Sequence, residues 1–257
     1  MNSLIGLLIA TVLAGTTTIY GAKIIREKPA FFDLCKRSDS GFGQCWSKNV
    51  EKLFHEWRSG VPGLKSIGTL DPLHVKRAKI SQADQGGPVS LNMEFINAEL
   101  YGLGETIIED MGSNGNNLDM KFKITVPLVK LIADYTMQGT ILNLPLNGHG
   151  KTRMTFKNAV FSLNFHVKLR EEGEFTFADL EKVHLIWEDI AGVQFRLDNL
   201  FGGNEALEES AHTLFNENWR VLYEILRPSF SQAIQIVFKD IYGKILGILP
   251  TSHYLVQ

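Results

Sequence analysis

The chain of 257 residues is 44% hydrophobic and carries 26 basic against 28 acidic side chains, a formal net charge of -2. That balance argues against a nucleic-acid partner, since phosphate binding draws on clustered Lys and Arg and nothing here exceeds local pairs such as Lys76 and Arg77. The length admits one large domain or two small ones.

The first residues, MNSLIGLLIATVLAGTTTIYGAKIIREKP, hold an apolar run from Leu4 to Ala14 that is too short to span a bilayer and is followed by small polar residues. This predicts a signal peptide over residues 1–22, cleaved near Gly21 or Ala22, and a mature segment 23–257. A buried amphipathic amino-terminal helix is the alternative. No second apolar run reaches the length of a membrane span, so the exported chain should have no stable membrane span. Cys35 and Cys45 are the only cysteines. In an exported protein an even count favours a disulfide closing this small loop, with two free buried thiols as the alternative. A pair cannot make a structural zinc site alone, and no His stands at ligand spacing beside it, so no metal is expected.

Trp46, Val50, Leu53, Phe54 and Trp57 then repeat at helical spacing until Gly60, Pro62 and Gly63 stop the run. From Val89 the period changes to two. Leu91, Met93 and Phe95, and later Met120, Phe122, Ile124 and Val126, alternate with polar residues, which predicts strands with one wet face. Further strands are expected at 105–109, 130–144, 153–168, 175–177, 182–188 and 193–197, with turns at GSNGNN (112–117), NGHG (147–150) and EEGE (171–174). Between Phe156 and Ala159 the alternation changes phase, and a bulge near Lys157 and Asn158 would account for it while helping the sheet to curl. No fixed-period repeat, low-complexity segment or linker divides the mature chain, so one domain is expected.

The carboxy-terminal stretch carries the strongest pattern. After Gly202 and Gly203, Asn204 is placed to cap a helix whose apolar positions include Leu207, Ala211, Phe215, Trp219, Leu222, Leu226, Ile234, Val237, Ile241 and Ile245. Glu205 and Glu208 suit the positive end of its dipole, and Lys239 and Lys244 the negative end. From Asn204 to Leu249 the helix would extend roughly 65–70 Å at about 1.5 Å per residue, interrupted or bent by Pro228. Its second half, from Ile225 to Leu246, is apolar nearly all round and should be surrounded by protein or by a bound apolar molecule.

This stretch, LFGGNEALEESAHTLFNENWRVLYEILRPSFSQAIQIVFKDIYGKILGILP (200–250), resembles the carboxy-terminal signature of the insect Takeout and haemolymph juvenile-hormone-binding family. Three further segments agree in order: CKRSDSGFGQC (35–45), LDPLHVKRAKI (70–80) and YTMQGTILNLPLNGHGKTRMTF (135–156). The resemblance covers essentially the whole mature chain. It implies an α+β fold, a strongly curved antiparallel β-sheet wrapped around one long C-terminal α-helix, similar to half of a tubular lipid-binding protein. It also implies a secreted, extracellular carrier of small apolar molecules, such as a juvenile-hormone-like terpenoid, a fatty acid or a quinone, with roles in feeding, chemosensation or daily rhythm. Hormone carriers proper have a second disulfide within this family. The single cysteine pair puts this chain with the Takeout-like members.

The expected site is an apolar tunnel between sheet and helix. Its lining candidates are the inward alternates Leu91, Met93, Phe95, Met120, Phe122, Ile124, Met154 and Phe156, facing Trp219, Leu222, Leu226 and Ile234 of the helix. A methionine-rich stripe of this kind also serves as plain core. Tyr135 either meets a polar ligand head or is an ordinary cross-strand aromatic. Catalytic patterns are missing. Gly150, Lys151 and Thr152 end a phosphate-loop motif whose first glycine would fall at Pro145, and His55 and Glu56 begin a zinc-protease motif whose second His would fall at Ser59. No serine has the flanking glycines of a nucleophile elbow, and no Asn opens a glycosylation motif. A non-catalytic, cofactor-free monomer is expected. The rival is a structural or interaction protein with a fully packed core and no ligand; a lipid-handling hydrolase, without a nucleophile constellation, ranks last.

Overall fold

A computed structural model of the chain describes residues 24–82, 89–142 and 144–256; the expected signal peptide over residues 1–22 lies outside the described residues. The elements run β1 (Cys35–Lys36), α1 (Phe42–Glu56), β2 (Leu73–Gln82), β3 (Val89–Tyr101), β4 (Ile107–Asp110), β5 (Asp119–Ile141), β6 (Leu144–Glu172), β7 (Phe175–Asp189), β8 (Gly192–Leu197), α2 (Glu205–Glu217), α3 (Trp219–Leu246) and β9 (Leu255–Val256). The main sheet has the order β2-β3-β5-β6-β7, all antiparallel, with β4 continuing the β3 flank on β5 and β8 continuing the β7 flank on β6. β1 and β9 pair in parallel and clasp the two ends of the described chain together.

The spine of the sheet is the β5–β6 hairpin, and it is longer than the sequence suggests. NGHG, expected as a turn, lies inside β6; the chain reverses instead between Ile141 and Leu144, where Leu142 takes a positive φ of 49°. The glycines of that motif mark close approach rather than reversal. A side chain at Gly148 would stand 2.9 Å from the Tyr135 hydroxyl, and one at Gly150 would stand 2.6 Å from the Asp198 carbonyl oxygen.

The phase change at Lys157 and Asn158 is present, but it is not a bulge in the β5–β6 ladder. Val126 faces Ala159 and Leu128 faces Lys157, so the register runs through unbroken. On β5 the alternation slips at the same rung: Pro127 and Leu128 are both exposed, opposite the exposed pair Lys157 and Asn158. Pro127 has no N–H to give to the ladder, and Asn158 relaxes into the left-handed region at φ 50°. Both strands therefore kink together, and the apolar face continues on the same side. The ladder of β6 with β7 does shift, between Val160 and Phe161.

The carboxy-terminal helix forms in two pieces. Asn204 caps α2, its Oδ1 accepting from Leu207 N at 3.2 Å, with Glu205 and Glu208 in the first turn. The expected break at Pro228 is not where the helix is interrupted; Pro228 sits inside α3, and the break falls at Asn218. There the Asn218 side chain donates to Leu214 O at 2.8 Å, competing with the backbone for that carbonyl, and its own backbone moves to φ -102°, ψ 19°. Leu222 N still donates to Asn218 O at 3.1 Å, so the interruption is confined to one residue.

Polar side chains spaced four apart join these helices to the sheet. On α3, Ser231 Oγ accepts from Trp187 N and Gln235 Oε1 from Leu185 N, each at 2.9 Å, while Arg227 and Lys239 donate to the carbonyls of Glu188 at 3.2 Å and Glu181 at 3.4 Å. On α2, Asn216 exchanges two hydrogen bonds with the Phe195 backbone, at 2.7 and 3.1 Å, and Leu197 N donates to His212 Nε2 at 3.0 Å. On α1, Glu51 accepts from Ile108 N of β4 at 2.8 Å. Each of these backbone groups lies on a strand edge that no further strand covers among the described residues. Across α3, Ser229 Oγ donates to Ser81 O of β2 at 2.9 Å. Residues two apart on one helix thus reach the first and the last strand of the sheet and hold them together across the seam. One side of the helix nevertheless meets solvent: Ile236 is 63% exposed, and Val237 and Ile241 are half-buried, against the expectation of a fully surrounded second half.

Replacing Ser231 by alanine strands the buried Trp187 N–H and is expected to destabilise by about 1–3 kcal/mol, whereas Gln232→Ala, on the exposed face beside it, should stay within about 0.5 kcal/mol. Urea unfolding of the two variants checks this; equal midpoints would show that the edge bond contributes nothing.

Candidate ligand-binding cavity

An apolar cavity of about 40 Å³ lies where the inner face of the sheet meets α1, α3 and the carboxy-terminal tail. The sheet contributes Phe122 of β5, Leu163 and Phe165 of β6 and Leu180 of β7; α1 contributes Trp46, Asn49, Val50 and Leu53; α3 contributes Phe238, Tyr242 and Leu246. Phe32, Leu249 and Tyr254 complete the wall from the two chain ends. Among the described residues no Lys, Arg, Asp, Glu or His stands in it.

The end of the molecule around this cavity is tightly held. Cys35 and Cys45 are bonded, with Cα atoms 5.6 Å apart, which ties β1 to the first turns of α1. Asn49 accepts from Asp33 N at 2.9 Å and donates to Asp33 O at 2.8 Å, pinning the segment before the disulfide to the same helix. The Lys52 ammonium, 2.7 Å from Asp33 Oδ2, holds that carboxyl below the usual carboxylate range. An aromatic shell follows: Trp46 meets Tyr254 edge-on at 5.2 Å, Trp57 meets Phe32 at 5.7 Å, and Tyr242 stacks on Phe238 at 4.1 Å.

The hydroxyls of Tyr242 and Tyr254 are buried and find no hydrogen-bond partner among the described residues. Burial pushes both phenols well above their ordinary range, so at neutral pH both are protonated donors. Asn49, the other polar residue on the wall, is fully engaged.

The residues predicted to line a tunnel are distributed differently. Leu91, Met93 and Phe95 on β3, Met120, Phe122 and Ile124 on β5, Met154 and Phe156 on β6, and Leu222 and Leu226 on α3 are all buried on the inner face, and of these Phe122 reaches the cavity. Ile234 is half-buried against the core. The Tyr135 hydroxyl donates to Asp198 O at 2.8 Å; it secures the loop after β8 and is not free to meet a ligand head. Trp219 is half-buried against the edge of the core, beneath the Arg220 guanidinium at 4.5 Å, and borders an open groove with Arg153, Lys157, Arg196 and Asn216. Trp187 is buried at this side of the core, ringed by Phe156, Phe161, Tyr223 and Phe230 at centroid distances of 5.4 to 5.9 Å.

Sequence reasoning passed over most of the cavity wall. Tyr242 was within reach, since it falls four residues after Phe238 and three before Ile245 on the apolar stripe. Tyr254 carried no such signal, because it enters through the folding back of the tail.

An antiparallel sheet curled over a long carboxy-terminal helix, with an apolar cavity and no charged group in its wall, defines a fold of binding proteins for apolar molecules. The chain belongs to the haemolymph juvenile hormone binding protein (JHBP) family, whose model matches residues 7–255. It is similar to the circadian clock-controlled protein daywake of Drosophila yakuba, 21% identical over 88% of this chain and 87% of that protein, and equally identical to daywake of Drosophila melanogaster. The crystal structure of Takeout 1 of Epiphyas postvittana superimposes with a TM-score of 0.73 at 21% identity, over 87% of this chain and 99% of that one, and shows the same fold. Among the described residues no group of three His, Cys, Asp or Glu side chains is placed to hold a metal, and no helix is long and apolar enough to cross a membrane.

Two stability measurements follow. Removing the disulfide by Cys35→Ser with Cys45→Ser is expected to cost roughly 2–3 kcal/mol, the closure of a short loop, measured by denaturant unfolding. Trp187→Ala should cost about 3–5 kcal/mol and clearly more than Trp219→Ala; the reverse order in thermal melts would mean that the aromatic cluster around Trp187 is not the packed centre.

Proposed function

We propose that the protein is a secreted, non-catalytic carrier that holds a small apolar ligand, a terpenoid, fatty acid or quinone, between the curved sheet and α3. In this reading the leader over residues 1–22 is removed and residues 23–257 act as one monomeric extracellular domain. The observation that carries it is the apolar cavity lined jointly by α1, the inner face of the sheet and α3, with no charged side chain among the described residues of its wall. Removing apolar ligand surface from water is worth about 25 cal/mol per Å², so such a wall needs few polar contacts to bind. Membership in a family named for juvenile hormone binding in haemolymph supports both the ligand class and the compartment. The clock control named for the daywake relatives supports a role tied to a daily rhythm.

The volume sets a condition. About 40 Å³ admits a head group and not a long chain, so a longer ligand must displace side chains along the seam. The flexible Met93, Met120 and Met137 on the inner face and the half-buried residues of α3 suit that displacement. The same volume favours the rival reading, a packed structural domain without ligand, and experiment separates the two. Solvent extraction of the purified protein should release an apolar compound, and a fluorescent long-chain fatty acid should bind. Phe122→Trp, which fills the cavity, should weaken the long probe roughly tenfold or more while sparing a short one, as an overpacking penalty of about 1–3 kcal/mol predicts. If the folded wild type yields no compound and binds neither probe, the packed domain becomes the better account.

A further inference from the structure

We propose that the open groove on the outer face of β6 and β8 binds a segment of sulfated polysaccharide, with Arg153, Arg196 and Lys157 holding its sulfate groups. The inference goes beyond the carrier reading and stands apart from the apolar cavity, which lies against the inner face of the sheet.

The groove, of about 600 Å³, is floored by side chains that strand alternation turns outward, while Met154 and Phe156 of β6 and Val193 and Leu197 of β8 are buried on the inner side. Arg153 stands opposite Arg196, Thr155 opposite Gln194, and Lys157 opposite Gly192. Like charges directly opposite each other on paired strands are destabilising, so the Arg153 and Arg196 rung works against the sheet that carries it. Two carboxylates offset this only loosely. Arg153 lies 3.4 Å from Asp198, and Arg196 lies 3.8 Å from Asp198 and 3.8 Å from Glu209, all longer than a strong charge-assisted hydrogen bond. Lys157 is exposed at the far end, where the glycine opposite it puts no side chain in the way. Three cations thus share two acids, and because they come from two strands the cluster does not show as a run in the sequence.

The array selects among anions. From Arg153 to Lys157 the strand advances about 13 Å at about 3.3 Å per residue, so one small ion cannot touch every cation and a chain with repeated anionic groups can. Guanidinium forks suit tetrahedral oxyanions, and Thr155 and Gln194 between the cationic rungs offer neutral hydrogen bonds to sugar hydroxyls. A flat bilayer would rest on the rim of a concave floor whose outward side chains include no apolar group to insert. A nucleic acid gains most from a bare aromatic face, and the indole of Trp219 on the groove wall is capped by the Arg220 guanidinium at 4.5 Å.

The test measures binding of a heparin oligosaccharide, and of the same oligosaccharide stripped of sulfate, by titration calorimetry. It compares the wild type with Arg153→Gln, Arg196→Gln and Lys157→Gln, singly and together, and with a charge-matched control on β2, Lys76→Gln with Arg77→Gln and Lys79→Gln. Wild type should bind the sulfated form alone. Each single variant should lose roughly 2- to 10-fold and the triple variant roughly tenfold or more, while the control stays within about twofold. Thermal melts add a readout that a structural role would move the other way: Arg153→Gln and Arg196→Gln should hold or raise the melting temperature, since each relieves the like-charge rung. Absence of heparin binding by the wild type, equal binding of the desulfated form, or equal loss in the β2 control would overturn the proposal. So would tighter binding to phosphatidylserine vesicles or to a single-stranded oligonucleotide of matched charge, and so would a lowered melting temperature in both arginine variants, which would assign the pair to the fold. The carrier reading is tested with apolar probes and survives each of these failures.

Discussion

Strand edges that have no neighbouring strand are completed by side chains from helices, and the rest of the architecture depends on this. Trp187 N and Leu185 N of β7, Phe195 N and Leu197 N of β8, and Ile108 N of β4 all donate to helical side chains. An uncovered edge is a template for aggregation as well as a row of unmet hydrogen bonds, and helix coverage disposes of both. Because the acceptors recur every four residues along α2 and α3, the helices are held at a definite height and rotation against the sheet. That in turn fixes which apolar side chains of α3 look inward.

Curvature has a separate origin, in the long β5–β6 hairpin. Pro127 and Asn158 stand at one rung, and the two strands bend there in step. The inner face therefore stays apolar through the kink, from Met120 to Met137 on β5 and from Leu146 to Val167 on β6. With the sheet bent in the middle, its outer strands β2 and β7 both come within reach of α3. The cavity lies at the end where α1, the disulfide and the chain ends close what the sheet leaves open.

Much of this could be read from residues alone. The family, the α+β class, the Asn204 cap and the inner alternation of β3 and β5 follow from periodicity and from four ordered segments. The misreadings share a cause. NGHG looks like a turn because glycine has two uses, reversal and close approach, and only the partner at Asp198 decides between them. Pro228 looks like a helix break because proline removes a donor, yet the helix tolerates it and yields at Asn218. Ser231 and Gln235 attach the helix to the sheet, and nothing in their spacing among the apolar positions announces it. The site was the least legible part, because its wall is assembled from both ends of the chain, and Tyr254 becomes a neighbour of Trp46 only through the parallel pairing of β1 with β9.

The unbroken register of β5 against β6 limits how this hairpin can vary in length. Strand faces alternate with every residue, so an insertion or deletion in one strand alone would turn everything beyond it inside out. Pro127 and Asn158 show the permitted exception, a change of phase made by both strands at the same rung. Length changes within the spine should therefore arrive as matched pairs on the two strands, adding or removing whole layers of the curved sheet.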